Sequence, residues 1–267
     1  MNSIMKKSIE INEYSMTSYY VDILFNDIKL SNATCFFTRI KETLYLVTNW
    51  HVVSGRNADT KKCLDRMGSV PNKLRVYIPK ETEDSTFCYC DDFYMDVELL
   101  DRSGNQLWYE MQKDNRMIDV AIIPLKDIDG ICTTIEQAEE PFNEQVNFEI
   151  ASEIYIIGFP FGKQTGFVPI WKKASVASEP ELDVEELPYF FADTATRSGM
   201  SGSPVILYKD RPVVLTNTEG KISRHWTKFI GIYSGRIGAD CEEKGDAQLG
   251  RVWKASVIQE LIDNYGK

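Results

Sequence analysis

The chain has 267 residues, 43% of them hydrophobic and 12% aromatic, which is enough for one large or two small hydrophobic cores. Its formal net charge of −10 argues against nucleic acid or an anionic membrane surface as a general partner, because either would require a basic face. No run approaches the roughly eighteen consecutive apolar residues of a membrane-spanning helix. We therefore expect neither nucleic acid nor a membrane as a partner.

The N-terminal stretch and the cysteines indicate a cytoplasmic protein without a metal. Lys6 and Lys7 are not followed by the apolar core of a secretion signal. The cysteines follow none of the usual zinc spacings, and the tightest pair has neither a nearby histidine nor a second pair. We expect reduced thiols, no metal and no cofactor. The cysteines are Cys35, Cys63, Cys88, Cys90, Cys132 and Cys241.

Short β-prone runs separated by polar turns fill the first half of the chain. Cys35 has the surroundings of a small core residue in the second run. A polar connection over residues 133–147 then predicts a boundary between two units, 1–140 and 141–267. The strands predicted before it are residues 19–25, 34–39, 43–48, 74–78, 96–100 and 118–125.

The second half repeats this pattern, and closely spaced short strands are typical of β-barrels or sandwiches. The fold class is therefore all-β. Only residues 255–263 show helical periodicity, with Val257, Ile258, Leu261 and Ile262 on one face. The strands predicted here are residues 148–157, 168–175, 189–192, 204–207, 212–217 and 228–233.

One octapeptide, residues 197–204 (RSGMSGSP), has the composition of a nucleophile loop. Gly199 and Gly202 accept backbone angles that other residues avoid, so the amides of Gly199 and Ser201 can point into one small space. Such a pair of amides forms an oxyanion hole. The alternative is an ordinary turn, since Gly, Ser and Pro clusters usually mark turns.

A nucleophilic serine requires a general base, and the chain has only two histidines. We choose His51, which follows a β-branched and aromatic run and is expected at a strand end, over His225, whose neighbours suggest a surface loop. Asp119 directly precedes a buried run, where an unpaired carboxylate would be costly. Taken singly, Asp119 could also be a strand-capping aspartate and His51 a satisfied half-buried histidine.

The order His51, Asp119, Ser201 is one of the known orders of a catalytic triad. The surrounding segments resemble the trypsin/chymotrypsin-like serine peptidases, and among them the bacterial HtrA (Deg) type. They occur in the order of that family and are spread over about 190 residues. The segments are 46–55 (LVTNWHVVSG), 119–126 (DVAIIPLK), 156–162 (IIGFPFG), 193–204 (DTATRSGMSGSP) and 231–235 (GIYSG).

The resemblance implies two six-stranded antiparallel β-barrels with the active site between them, followed by the C-terminal helix. His51 and Asp119 would lie in the first barrel and Ser201 in the second. Ser201 would attack the carbonyl carbon, His51 would act as base and then acid, and Asp119 would stabilise the imidazolium. The amides of Gly199 and Ser201 would bind the oxyanion.

The same resemblance implies the substrate-binding residues. Ser234 would belong to a strand that pairs with the substrate backbone. Ala195 would form the floor of the pocket for the side chain before the cut, beside Thr196. Ser234, Gly235, Arg236 and Gly250 would form its walls. Because no acid stands at this floor, we expect small to medium apolar side chains such as valine, alanine or leucine, unless Asp240 reaches the pocket.

The chain departs from the family pattern in three ways. Met200 stands where secreted trypsins carry an aspartate that pairs with a new N-terminal amine, so activation by N-terminal cleavage is not expected. Ser203 replaces a glycine, which should fit. The chain also carries no PDZ domain after the helix, so we expect regulation through another partner.

The first functional hypothesis is a serine endopeptidase that acts on protein or peptide substrates in regulated intracellular proteolysis. The second is an inactive protein of the same fold that binds a peptide or protein partner. An α/β-hydrolase esterase is less compatible, since its Gly-x-Ser-x-Gly pattern and triad order are missing. The acidic residues 179–186 (EPELDVEE) either form a solvated loop or contact a basic regulatory partner.

Overall fold

In a computed structural model of the protein, the described residues are 11–81, 87–88, 93–125, 132–139, 148–162, 168–209, 213–214, 222–223, 226–236 and 248–265. In the first half the elements are β1 (Ser18–Phe25), β2 (Ile28–Ile40), β3 (Thr43–Thr48), α1 (Trp50–Ser54), β4 (Lys73–Tyr77), β5 (Lys80–Glu81), β6 (Phe87–Cys88), β7 (Tyr94–Glu98), β8 (Gln112–Lys113), β9 (Arg116–Met117), β10 (Ala121–Leu125) and α2 (Ile135–Ala138). In the second half they are β11 (Glu153–Gly158), β12 (Ile170–Val176), β13 (Tyr189–Asp193), β14 (Pro204–Lys209), β15 (Val213–Val214), β16 (Ile222–Ser223), β17 (Trp226–Arg236), β18 (Leu249–Lys254) and α3 (Ser256–Tyr265).

The first unit is a six-stranded antiparallel sheet in the order β10-β3-β2-β1-β4-β7. Within the described residues this sheet is open between β7 and β10, whereas the resemblance implies a closed barrel. The gap is spanned by irregular backbone: Leu107 donates to Leu99, and Tyr109 exchanges two hydrogen bonds with Ile122. Isolated bridges therefore stand where a full edge strand would complete the closure.

The core of this unit follows from alternation along the strands. In β1 the side chains of Tyr19, Val21 and Ile23 lie in one buried cluster with Cys35 and Leu46, as a period of two residues requires. The prediction that Cys35 is a core residue is confirmed, because it is fully buried.

The second unit is a closed barrel in the order β11-β12-β13-β18-β17-β14. The sequence reading predicted all of these strands except β18. The reason is that Val252 packs into the barrel core while its neighbour Trp253 packs into the apolar layer outside it. With both faces buried, the alternation that would reveal a strand is lost.

A further apolar cluster, which we call the seam, joins the two units. It contains Ile118 from the first unit, Trp253 from the second, and Val257, Ile258 and Leu261 from α3. The prediction of an amphipathic C-terminal helix is thus confirmed. No helix within the described parts of the chain is both long and apolar enough to cross a membrane.

The connection between the units differs in part from its prediction. The stretch expected to be only polar contains the short helix α2, whose N-terminus is closed by reciprocal hydrogen bonds between Thr134 and Gln137. The strands of the first sheet end at Leu125 and those of the barrel begin at Glu153. Residues 140–147 are outside the described residues, so the boundary at 140/141 stays a prediction.

Candidate active site

His51 lies in the one-turn helix α1, directly after β3, rather than at a strand end as expected. Two indole N–H groups, from Trp50 and Trp108, donate to the same Oε2 of Glu110, at 2.6 and 2.8 Å. Asn49 Nδ2 donates to the backbone oxygen of Asp119 at 2.7 Å. The start of α1 is therefore attached to the segment that leads into β10, which fixes the imidazole relative to that segment.

Asp119 is 3% exposed, and its carboxylate has three donors. Oδ1 accepts from the His51 amide at 2.8 Å, and Oδ2 lies 2.7 Å from His51 Nδ1. Ser234 Oγ also donates to Oδ2. These partners compensate for burying the charge. A carboxylate beside Nδ1 holds a proton on that nitrogen, so Nε2 is left as the acceptor.

The nucleophile loop turns as its glycines predict, with φ of +96° at Gly199 and +83° at Gly202. A side chain at Gly199 would also place a Cβ only 2.3 Å from the Phe159 oxygen. The amides of Met200, Gly202 and Ser203 donate to backbone carbonyls. Within the described chain no acceptor takes the amides of Gly199 and Ser201, so the loop presents two adjacent donors.

A contact from outside the loop sets the orientation of the Gly199 donor. Phe161 N donates to the Ser198 oxygen at 2.7 Å. Because the peptide bond is planar and trans, binding that carbonyl directs the Gly199 N–H to the opposite side.

Thr34, on β2 of the first unit, holds the loop a second time. Its amide donates to the Ser201 oxygen at 2.9 Å, and its Oγ1 donates to the Gly199 oxygen at 2.8 Å. The same Oγ1 accepts from Phe159 N at 3.2 Å. Sequence reasoning missed Thr34, since nothing local distinguishes it from any buried strand threonine.

His51, Asp119, Gly199 and Ser201 line one cleft of about 770 Å³ between the two units. Of the expected substrate-binding residues, Thr196, Ser234, Gly235 and Arg236 also line it. Ala195 and Gly250 do not. Tyr233, which the sequence reading left out, lines the cleft instead. His225 and Asp240 lie outside the described residues.

The acidic loop, residues 179–186, contacts basic side chains of its own chain. Asp183 accepts from Lys254 at 2.7 Å and lies 3.5 Å from Lys113 in β8. Glu185 lies 3.9 Å from Arg116 in β9. The hydrogen bond from Lys254 lowers the pKa of Asp183. The loop is thus connected to the β8–β9 hairpin, which ends two residues before Asp119.

No group of three or more His, Cys, Asp or Glu side chains in the described residues is arranged to hold a metal ion. The chemistry available in the cleft is that of a hydroxyl, an imidazole, a carboxylate and two backbone amides. This combination suits attack on an acyl carbon and stabilisation of the resulting oxyanion.

Comparison with known proteins agrees with this fold. The chain is similar to a serine endoprotease from Yersinia pestis, with 12% identity, a TM-score of 0.50 and coverage of 97% of this chain and 67% of that one. It is also similar to the active form of the Rv3671c protease from M. tuberculosis, with 15% identity, a TM-score of 0.48 and coverage of 95% and 82%. At 12% identity the likeness to the Yersinia pestis protein concerns the fold alone.

A curated relative is hemolysin A from Brachyspira hyodysenteriae, 28% identical over 138 residues. The match spans 51% of this chain and about half, 52%, of the relative. The family model described as the trypsin-like peptidase domain matches residues 33–214, which include His51, Asp119 and Ser201. The chain therefore belongs to the trypsin-like peptidase family.

Proposed function

We propose that this protein is a serine endopeptidase that cleaves peptide bonds through an acyl-enzyme. The observation that carries the proposal is the buried Asp119 carboxylate bound to His51 Nδ1 at 2.7 Å, in a cleft that also holds Ser201. The unoccupied amides of Gly199 and Ser201 support the same function. A fold that only bound peptides would have no need of this combination.

Each residue has one role in the proposed reaction. Ser201 Oγ attacks the carbonyl carbon while His51 Nε2 takes its proton, and the amides of Gly199 and Ser201 bind the oxyanion. His51 then donates that proton to the leaving amine, which departs and leaves an acyl-enzyme. Water activated by His51 hydrolyses the ester. Asp119 stabilises the imidazolium in both halves of the reaction.

We propose protein or peptide substrates, bound in an extended conformation against the end of β17. Ser234, Gly235 and Arg236 lie in that segment and line the cleft. Main-chain pairing to a strand edge is the usual way to hold an extended peptide. The uncharged hydroxyls of Thr196 and Tyr233 line the cleft nearby and offer no counter-charge to lysine or arginine.

A fluorophosphonate probe followed by mapping of the labelled peptide tests the nucleophile. Wild type should be labelled at Ser201, and Ser201→Ala should lose both labelling and turnover, by about a millionfold in kcat if the triad acts as a unit, as in the subtilisin series. Ser203→Ala is the matched control from the same loop and should still be labelled. Labelling at Ser198 or Ser203 would overturn the assignment.

The pH dependence tests the base. With His51 as the base, kcat/KM should rise through an apparent pKa of about 6 to 7, and His225→Ala should keep that profile. Loss of activity in a folded His225→Ala protein would show that the wrong histidine was chosen. A wild type that binds peptides without labelling or cleavage would favour the inactive binding protein instead.

A further inference from the structure

Tyr233 lies where the cleft meets the core of the second barrel. Its side chain is 1% exposed and belongs to the barrel core together with Met200 and Val252, yet it also lines the cleft that contains Ser201. Its hydroxyl shares a hydrogen bond with the Thr196 hydroxyl. The ring therefore forms a boundary between the cleft and the barrel interior.

The backbone of Tyr233 fixes this ring relative to the nucleophile. Tyr233 N donates to the Ser203 oxygen, and Gly202 N donates to the Tyr233 oxygen, both at 2.9 Å. These two bonds join β17 directly to the residues that follow Ser201. The backbone from which the ring projects is consequently held in place relative to the nucleophile loop.

The space behind the ring is closed as well. A Cβ at Gly250 would lie 2.5 Å from Cε2 and 2.9 Å from the hydroxyl oxygen of Tyr233. The ring thus packs against the Gly250 backbone, and only glycine leaves room for it. This explains why Gly250, expected to border the pocket, is not among the residues lining the cleft.

We propose that the ring of Tyr233 limits the depth of the pocket beside Ser201, so that the enzyme accepts alanine- to valine-sized side chains before the cut and excludes leucine and aromatic ones. This rests on the proposed endopeptidase function. The proposal narrows the set of side chains expected from the sequence by removing leucine, and it assigns the specificity to Tyr233, which the sequence did not single out.

The limit on side-chain size is steric, and it does not depend on ionisation of the Tyr233 hydroxyl near neutral pH. Burial raises the pKa of Tyr233 to about 12, so its hydroxyl stays protonated near neutral pH. Dense packing in the barrel core keeps the ring from yielding to a larger substrate side chain without a cost.

The test compares kcat/KM for peptides that differ only in the residue before the cut: alanine, valine, leucine or phenylalanine. Wild type should prefer alanine over phenylalanine by at least about tenfold, the discrimination that one or two carbon groups provide in a tight pocket. Tyr233→Val should lower this ratio at least tenfold. Tyr233→Phe, which keeps the ring, should preserve it.

Phe190→Val is the matched control, because Phe190 is a fully buried aromatic of the same barrel core that does not line the cleft. It should lose stability while keeping the alanine-to-phenylalanine ratio. If Tyr233→Val does not fold, the milder Tyr233→Leu and the wild-type ratio still decide. A wild type that cleaves the phenylalanine peptide as well as the alanine peptide overturns the inference.

Fluorophosphonate labelling separates this inference from the proposed function. An enzyme that is labelled at Ser201 but shows no size preference, or keeps its preference in Tyr233→Val, contradicts only the role of Tyr233. A wild type that is neither labelled nor active contradicts the endopeptidase itself.

Discussion

Thr34 connects the first unit to the oxyanion loop, and replacing it with valine tests whether that connection sets the rate. Thr34→Val keeps the shape of the side chain but removes Oγ1. Two hydrogen bonds are then lost, the one to the Gly199 oxygen at 2.8 Å and the one from Phe159 N at 3.2 Å.

The magnitude follows from these two hydrogen bonds. The Gly199 oxygen without this bond costs about 1 to 3 kcal/mol and the lost bond to Phe159 N about 0.5 to 1.5 kcal/mol, so the free energy of unfolding should fall by roughly 1.5 to 4.5 kcal/mol. The Gly199–Met200 peptide, next to the donor Gly199 N, loses this anchor, and a misplacement of about 1 Å at a catalytic group can cost about 100-fold. We expect kcat to fall about 100-fold with little change in KM, because ground-state contacts along β17 are unaltered.

The assay combines urea unfolding with steady-state kinetics under conditions where each variant is folded. Thr34→Ser should restore both quantities to near wild type, since it returns the hydroxyl. Thr48→Val is the control: Thr48 is also buried and its Oγ1 packs against Gly202, but that oxygen donates to the Thr34 oxygen at 2.9 Å rather than to a loop carbonyl. Thr48→Val should lower the free energy of unfolding by about 1 to 3 kcal/mol, while kcat falls by less than about tenfold.

The reasoning would be refuted if Thr34→Val lost stability as calculated but kept kcat within a factor of two. Thr34 would then support the fold without orienting the oxyanion donors. An equal fall of kcat in Thr48→Val would likewise show that general loosening of β2 explains the effect.

Two further predictions concern Asp119 and the acidic loop. Asp119→Asn should lower kcat by about 10⁴-fold, as in the chymotrypsin-like template, because an amide favours the wrong histidine tautomer. Ser234→Ala should lower kcat only about tenfold, because two of the three donors to Asp119 stay. Steady-state kinetics that rank the two variants in the opposite order would contradict this prediction. Asp183→Asn should lower the free energy of unfolding by less than about 1 kcal/mol, since the pairs are exposed. Because Lys254 lowers the pKa of Asp183, the stabilisation that Asp183 contributes is present above the ordinary aspartate pKa of about 4 and is lost as pH falls below it. The free energies of unfolding of wild type and Asp183→Asn, measured in urea, should therefore converge in acid and in roughly 1 M salt. If neutralising all five acids of residues 179–186 changes neither activity nor its salt dependence, the loop is only solvated.

Sequence reasoning worked best where the signal is local and chemical. The short strands and the apolar face of α3 follow from periodicity, and His51, Asp119 and Ser201 stand out because each combines a reactive side chain with an unusual neighbourhood. Thr34 and Tyr233 carry no such signal. Thr34 matters because it donates a hydrogen bond to Gly199, 165 positions away. Tyr233 matters because it contacts Thr196 and Gly250.

The errors in the predicted fold also come from contacts between residues that are distant in sequence. The strand β18 was missed because both of its faces are buried, and the expected closure of the first sheet is provided by isolated bridges around Tyr109 rather than by a strand. The sequence predicts a strand end at His51, yet the indole N–H of its neighbour Trp50, bound to Glu110, anchors a helical turn. In each case a distant contact overrides the local preference of the chain.

The seam has a consequence for how activity is lost. Ile118 in the seam is the residue next to Asp119, and Ile232 in the seam is two residues before Ser234, which binds Asp119. The aspartate and its serine partner are therefore attached to opposite sides of one continuous apolar layer that also buries α3. Since neither side can expose this layer without exposing the other, the two units should melt together, with no partly folded form in which one unit survives alone, and the arrangement of His51, Asp119 and Ser201 should be lost in that same transition.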